Sequence, residues 1–295
     1  MSFFDWLRIA LLSGAWGGSF FFVEIMLGSM PPITAVFGRL AVGLFGLSCL
    51  LKLLGHDFGQ IFTQWRFFAF IGFINNALPF TLINFGQTQI SGSLASIINA
   101  TTPIVTAIMA HWLTIDERLT INKVMGIALG FSGILVLFGP TVWASDIALL
   151  GMSAGLIATI CYAYGSVISK RLRHNPPLLN ATGQVFFATL WVLPVFVFFD
   201  KPWSLPMPDA EGLVAMLAIG FLSTTLGMFI YFQVLKTAGA SNVVLVTFLV
   251  PITATGLGFI FLEERLAPND LVAFFLITLG LVVIDGRFIS NTWKI

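Results

Sequence analysis

Two residues of opposite charge interrupt the first long apolar stretches of this chain: Glu24 in "FFFVEIM" and Arg39 in "VFGRL". A carboxylate can carry a proton, and a guanidinium offers a two-pronged fork to another carboxylate. Ionisable groups inside apolar runs of this length are costly, so each is a functional candidate. The tight "GSMPPI" link between the two stretches makes their helices neighbours. A Glu24–Arg39 ion pair is therefore expected, beside two sharper roles. Arg39 would receive a substrate carboxylate, and Glu24 would carry a coupling proton.

Uncharged polar residues form a second set. "NNALPFTLINFGQTQ" (75–89) places Asn76, Asn84 and Gln87 on one helical face, which must meet protein or water. Asn75 and Asn76 are candidates for a cavity wall, next to a kink at Pro79 that frees a carbonyl. Asn99 is a further candidate, while the serines of "SGSLAS" (91–96) suit close helix approach. Trp16 and Tyr164 hold nearly equivalent positions of an internal repeat described below and are candidates to clamp a substrate. Gln233 completes the set. Tyr162, Trp191 and Tyr231 also place polar-edged rings at midspan. His56, His111 and His174 lie far apart, and neither H-E-x-x-H nor a P-loop occurs. No catalytic constellation, metal site or cofactor is expected.

The elements that must position these residues follow from composition. Of 295 residues, 58% are hydrophobic and 9% charged, against roughly 25% charged in soluble proteins. Net charge is +1, without the basic run that nucleic acid or an anionic membrane surface would attract. Cys49 and Cys161 lie in apolar segments and make no disulfide framework. Ten segments approach the roughly 20 apolar residues a helix needs to cross a bilayer. They are 7–27, 33–53, 67–86, 92–113, 121–139, 147–169, 179–199, 212–235, 241–262 and 270–287. The first is read as a retained span rather than a signal peptide. Backbone in lipid must satisfy itself, so the expected fold is an all-α integral membrane protein.

Arg8, Lys52, Arg66, Arg118, Lys123, Lys170, Arg171, Arg173, Lys236, Arg287 and Lys294 fall on the side of both termini; Lys201 and Arg265 fall opposite. That asymmetry puts both termini in the cytoplasm of a bacterial inner membrane.

The chain also repeats itself. "IDERLT" (115–120) returns as "LEERLA" (262–267), "PPITAVFGRL" (31–40) aligns with "PPLLNATGQV" (176–185), and Gly133 with Gly280, at an offset between 145 and 148 residues. Residues 1–144 and 145–295 are thus expected to be five-helix repeats. An odd number of spans inverts the second relative to the first, an arrangement associated with alternating access around a midplane site.

With "WGGSF" in the first span, "FGRL" around Arg39, Thr102-Pro103 before "DERLT" and Val250-Pro251 before "EERLA", nearly the whole chain resembles the drug/metabolite transporter superfamily, EamA type. The resemblance implies a ten-helix bundle with cytoplasmic termini and export of amino acids, other small metabolites or drugs. The residues themselves lead to a secondary exporter of small zwitterions, with apolar or aromatic ones included and protons as the optional coupling ion. Multidrug, nucleoside or sugar transport in the same fold is the alternative, and a channel or membrane-embedded enzyme ranks last. The partners expected are a small-molecule substrate and the bilayer, with the chain a monomer or weak dimer.

Overall fold

The computed structural model describes residues 3–113, 120–144, 146–172, 174–238 and 246–285. Among them there is no strand. Seven helices are long and apolar enough to cross a membrane: α1 (Phe3–Leu27), α2 (Pro32–Leu53), α3 (Trp65–Gln87), α4 (Gly92–Leu113), α6 (Ile147–Leu172), α7 (Pro177–Asp200) and α8 (Ala210–Val234). Three further apolar helices are α5 (Ile121–Ala144), α9 (Val246–Phe261) and α10 (Pro268–Asp285). Most of "IDERLT", with Arg118, and Arg173, Arg287 and Lys294 lie outside the described residues.

Local chemistry marks the helix ends. α2 and α7 begin after Pro31 and Pro176, each with a second proline in its first turn, where no backbone donor is needed. Asp209 caps the start of α8 by accepting from Gly212 N at 2.7 Å, and Ser91 caps α4 through Leu94 N at 3.3 Å.

Packing relies on small residues. A Cβ at Gly17 of α1 would stand 2.8 Å from Val250 O of α9, and one at Gly280 of α10 would stand 2.6 Å from Gly126 O of α5. With no hydrophobic drive between helices in lipid, such close backbone approach is what holds them. α1 also packs on α8, α3 on α6, α2 on α7 and α8, α4 on α6 and α9, and α3 on α7. Three apolar cores are found among the described residues. The first gathers α1, α4, α6, α9 and α10 with Leu137 of α5 and Ile230 and Val234 of α8, the second α2, α3 and α7 with Phe232 of α8, and Tyr231 of α8 packs against both. The third, smaller, joins Val23 and Met26 of α1 to Ala35 of α2 and Ala215 and Ile219 of α8. Large side chains such as Phe45, Phe131, Phe259 and Phe275 point outward, more exposed apolar surface than a water-soluble monomer carries.

Three of these helices carry a π-helical turn. Phe73–Ala77 in α3, Phe196–Asp200 in α7 and Ile219–Leu226 in α8 are π-helical. Each wider turn displaces the helix face that follows it and loosens the main-chain ladder, a feature frequent at functional sites.

Candidate functional site

Arg39 of α2 is buried, 8% exposed. Its Nε donates to Thr224 Oγ1 of α8 at 3.1 Å and its Nη2 to Ser19 Oγ of α1 at 3.5 Å. The guanidinium carbon lies 3.8 Å from the centre of the Phe80 ring of α3, an attractive position for a cation. Tyr162 of α6 lies within its electrostatic reach. Five helices thus converge on one cation, and among the described residues no carboxylate is its partner. The remaining N–H groups of the fork bond to no described residue.

The π-helical turn of α8 creates this arrangement. Thr224 Oγ1 and Thr225 Oγ1 donate to the carbonyls of Ile219 and Gly220, five residues back, at 3.2 and 3.1 Å. The Thr224 hydroxyl proton is thereby committed, and its lone pair faces Arg39. A Cβ at Gly43 would stand 2.5 Å from Thr224 Cγ2, so glycine there lets α2 and α8 approach closely enough.

The π-helical turn of α3 holds Asn75 and Asn76. Asn75 Nδ2 donates to Gln184 Oε1 of α7 at 3.4 Å. Asn76 is 2% exposed and its carbonyl oxygen has no partner. Pro79 follows directly and cannot donate to the Asn75 carbonyl four residues back.

Trp16 packs its ring on Tyr231, centroids 5.5 Å apart. Tyr164 meets Phe70 edge-on at 6.3 Å. Among the described residues no ring contact joins Trp16 and Tyr164; each meets an aromatic side chain from the other half of the chain instead. Asn99 makes a local contact, accepting from Thr102 Oγ1 at 3.4 Å. Gln233 lies elsewhere. With His56, Asn175, Asn180 and Phe232 it lines a cavity of about 480 Å³ where α2 ends, α6 joins α7, and α8 nears its last turns.

The Glu24–Arg39 ion pair expected from the sequence is not formed. Glu24 Oε2 accepts from Gln87 Nε2 of α3 at 3.2 Å, whereas Arg39 turns towards α8. The two residues share a depth but not a face. Thr224, Ser19 and Phe80 were missed by sequence reasoning, although the polar "STT" (223–225), 148 residues beyond "NNA" (75–77), is a signal that could have marked the place.

Comparison with known proteins adds the following. The EamA-like transporter family matches residues 6–139 and again residues 149–285. The chain belongs to that family. It is similar to an uncharacterized transporter of Archaeoglobus fulgidus, 23% identical over 95% of this chain and 98% of that one. It is also similar to Protein PecM of Dickeya dadantii, 25% identical over 92% and 88%. The uncharacterized transporter YvbV of Bacillus subtilis is 23% identical over 95% and 91%. A crystal structure with 16% identity superposes at a TM-score of 0.72 over the whole of both chains. This protein is a membrane transporter of the drug/metabolite superfamily, not an enzyme.

Proposed function

We propose that this transporter moves small carboxylate-bearing metabolites, zwitterionic amino acids foremost, out of the cell by alternating access. The observation that carries the reading is Arg39: a buried cation with no counter-charge among the described residues, held by Thr224, Ser19 and Phe80 with donors to spare. A permanent charge in an apolar bundle calls for an anionic partner. A substrate carboxylate supplies one, and the fork geometry suits it. Trp16, Tyr162, Tyr231 and Phe80 provide aromatic surface for an apolar or aromatic substituent, and Asn75 and Asn76 provide amide contacts. Glu24 is the acid available to exchange a proton.

Ten spans in two inverted repeats suit this function. Several observations support them. The family matches twice. The π-helical turns of α3 and α8 recur at the repeat offset. The bond from Arg39 of the first half to Thr224 of the second answers the bond between Gln184 of the second half and Asn75 of the first. The Lys and Arg asymmetry supports cytoplasmic termini in a bacterial inner membrane. The cavity beside Gln233 then opens towards the cytoplasm. We take the working unit to be a monomer or weak dimer.

The test is counterflow in proteoliposomes preloaded with unlabelled solutes and given a labelled neutral amino acid outside. Accelerated uptake against a subset of amino acids supports the proposal. Acceleration only by nucleosides, sugars or cationic drugs replaces it, and label entry independent of preloading would mean a channel.

A further inference from the structure

At the end of the bundle opposite the Gln233 cavity, the link from α9 to α10 folds back onto the start of α4. Glu264 accepts there from Gly92 N at 3.2 Å through Oε1 and from Ser93 N at 3.1 Å through Oε2, and Ser93 Oγ donates to the same Oε2. These are the first, unsatisfied N–H groups of a helix, where an anion is favoured. The backbone is shaped for this contact. Glu263 takes a left-handed φ of 55°, unusual for a residue with a side chain and kept only where surroundings impose it. Glu264 N then bonds back to Gly258 O at 3.1 Å. A Cβ on Gly258 would stand 2.4 Å from Glu264 Oε2 and 2.9 Å from Ser93 Oγ, so glycine there admits the carboxylate.

We infer that Glu264 is a gating residue, latching the outer mouth of the transport path by tying α9 of one half to α4 of the other. This rests on the alternating-access reading above, which places this end outside. The bonds cross between halves that must part for the mouth to open, so they have to break once per cycle. A cap within one half would not. Glu24 adds a control. Gln87 Nε2 holds it through Oε2 at 3.2 Å while also bonding Phe20 O at 2.8 Å, and Glu24 lies within electrostatic reach of Glu264. The other charges of the link are Glu263, Arg265 and Asp270, the last occupied by Ala267 N at 2.8 Å. α3 and α4 bring no charged residue to this end. Glu24 therefore pushes against the latch as a like charge.

The experiment uses the full-length chain with Cys49→Ala and Cys161→Ala and one reporter, Ser19→Cys, about 7.5 Å further along α1 than Glu24. A membrane-impermeant maleimide is added at the outer face of intact cells. Glu264→Ala is expected to speed labelling roughly tenfold, the worth of a charge-assisted hydrogen bond. Ser93→Ala and Glu264→Gln should speed it less, and Glu24→Gln should slow it. Labelling at the parent rate in folded Glu264→Ala overturns the latch. If that variant fails to reach the membrane, parent-rate labelling in both Ser93→Ala and Glu264→Gln does so. Solute counterflow on the same latch variants in the chain that keeps Ser19 separates the two claims. Faster labelling with no amino-acid flux leaves the latch and removes the substrate assignment, whereas flux with unchanged labelling does the reverse.

Discussion

Arg39 of α2 donates to Thr224 of α8 at 3.1 Å, and Gln184 of α7, which the proposed repeat aligns with Arg39, accepts from Asn75 of α3 at 3.4 Å. Each bond runs from one helix to a π-helical turn of another, so under that proposal one relationship has two copies, of which only one carries charge. A symmetric scaffold with an asymmetric charge can orient a substrate whose own charge is asymmetric. Replacing Arg39 with Gln makes the two copies chemically alike. The expected result is loss of amino-acid counterflow by tenfold or more, with the protein still folded because Gln already occupies the equivalent place. Arg39→Lys should retain part of the flux, since a point charge replaces a fork. Undiminished flux in Arg39→Gln would remove Arg39 from the substrate site.

Thr224 tests the scaffold rather than the charge. Thr224→Val keeps the shape and deletes the acceptor for Arg39 and the donor to Ile219 O. Interhelical hydrogen bonds in membrane bundles average about 0.6 kcal/mol with a maximum near 1.7. A destabilisation in that range is expected in detergent melting, at its upper end because a buried cation loses a partner. Thr81→Val, whose hydroxyl bonds only to Ala77 O within its own helix, should cost less. Equal costs would mean that the interhelical bond adds nothing.

How much of this was legible beforehand depended on scale. Apolar length and charge content were enough to identify the class, because lipid leaves helices as the plain solution. Asn75, Asn76 and Arg39 stood out because polar groups in such helices are rare. Their partners did not. A π-helical turn shifts the face of everything after it, and no periodicity in "IGFLSTTL" announces one. The expected Glu24–Arg39 pair failed for a related reason. Equal depth follows from counting residues, but which way each side chain turns depends on the helix packed beside it, Gln87 on α3 for one and Thr224 on α8 for the other. Gln233, a polar candidate near the end of its span by count, lines the cavity at that end of the bundle.

Trp16 and Tyr231, two of the aromatic candidates, are in ring contact, centroids 5.5 Å apart. If that surface receives the substrate's side chain, Trp16→Ala should weaken counterflow of aromatic and large apolar amino acids more than that of small ones. The comparison is best made as a ratio of half-saturation concentrations for a large and a small solute. A uniform change would assign Trp16 to packing alone.

Glycines offer the sharpest contrast in this chain. A Cβ at Gly17 would meet Thr253 Cβ at 2.6 Å, Val250 O at 2.8 Å and Ala254 N at 3.1 Å, two of them backbone atoms that cannot swing aside. Three residues earlier on the same helix, a Cβ at Gly14 would meet nothing within 4 Å. Gly14→Ala should therefore be neutral or slightly stabilising, since alanine is preferred in a helix interior by up to about 1 kcal/mol. Gly17→Ala has to push α1 away from α9, breaking the Ser13–Thr253 hydroxyl contact at 3.1 Å. It is expected to lower the melting temperature clearly and to reduce transport even at temperatures where the protein remains folded, because α1 carries Trp16 and Ser19 into the site. Melting curves and counterflow rates on the two alanine variants decide this, and a Gly17→Ala protein as stable and active as Gly14→Ala would show that α1 and α9 do not need their close approach.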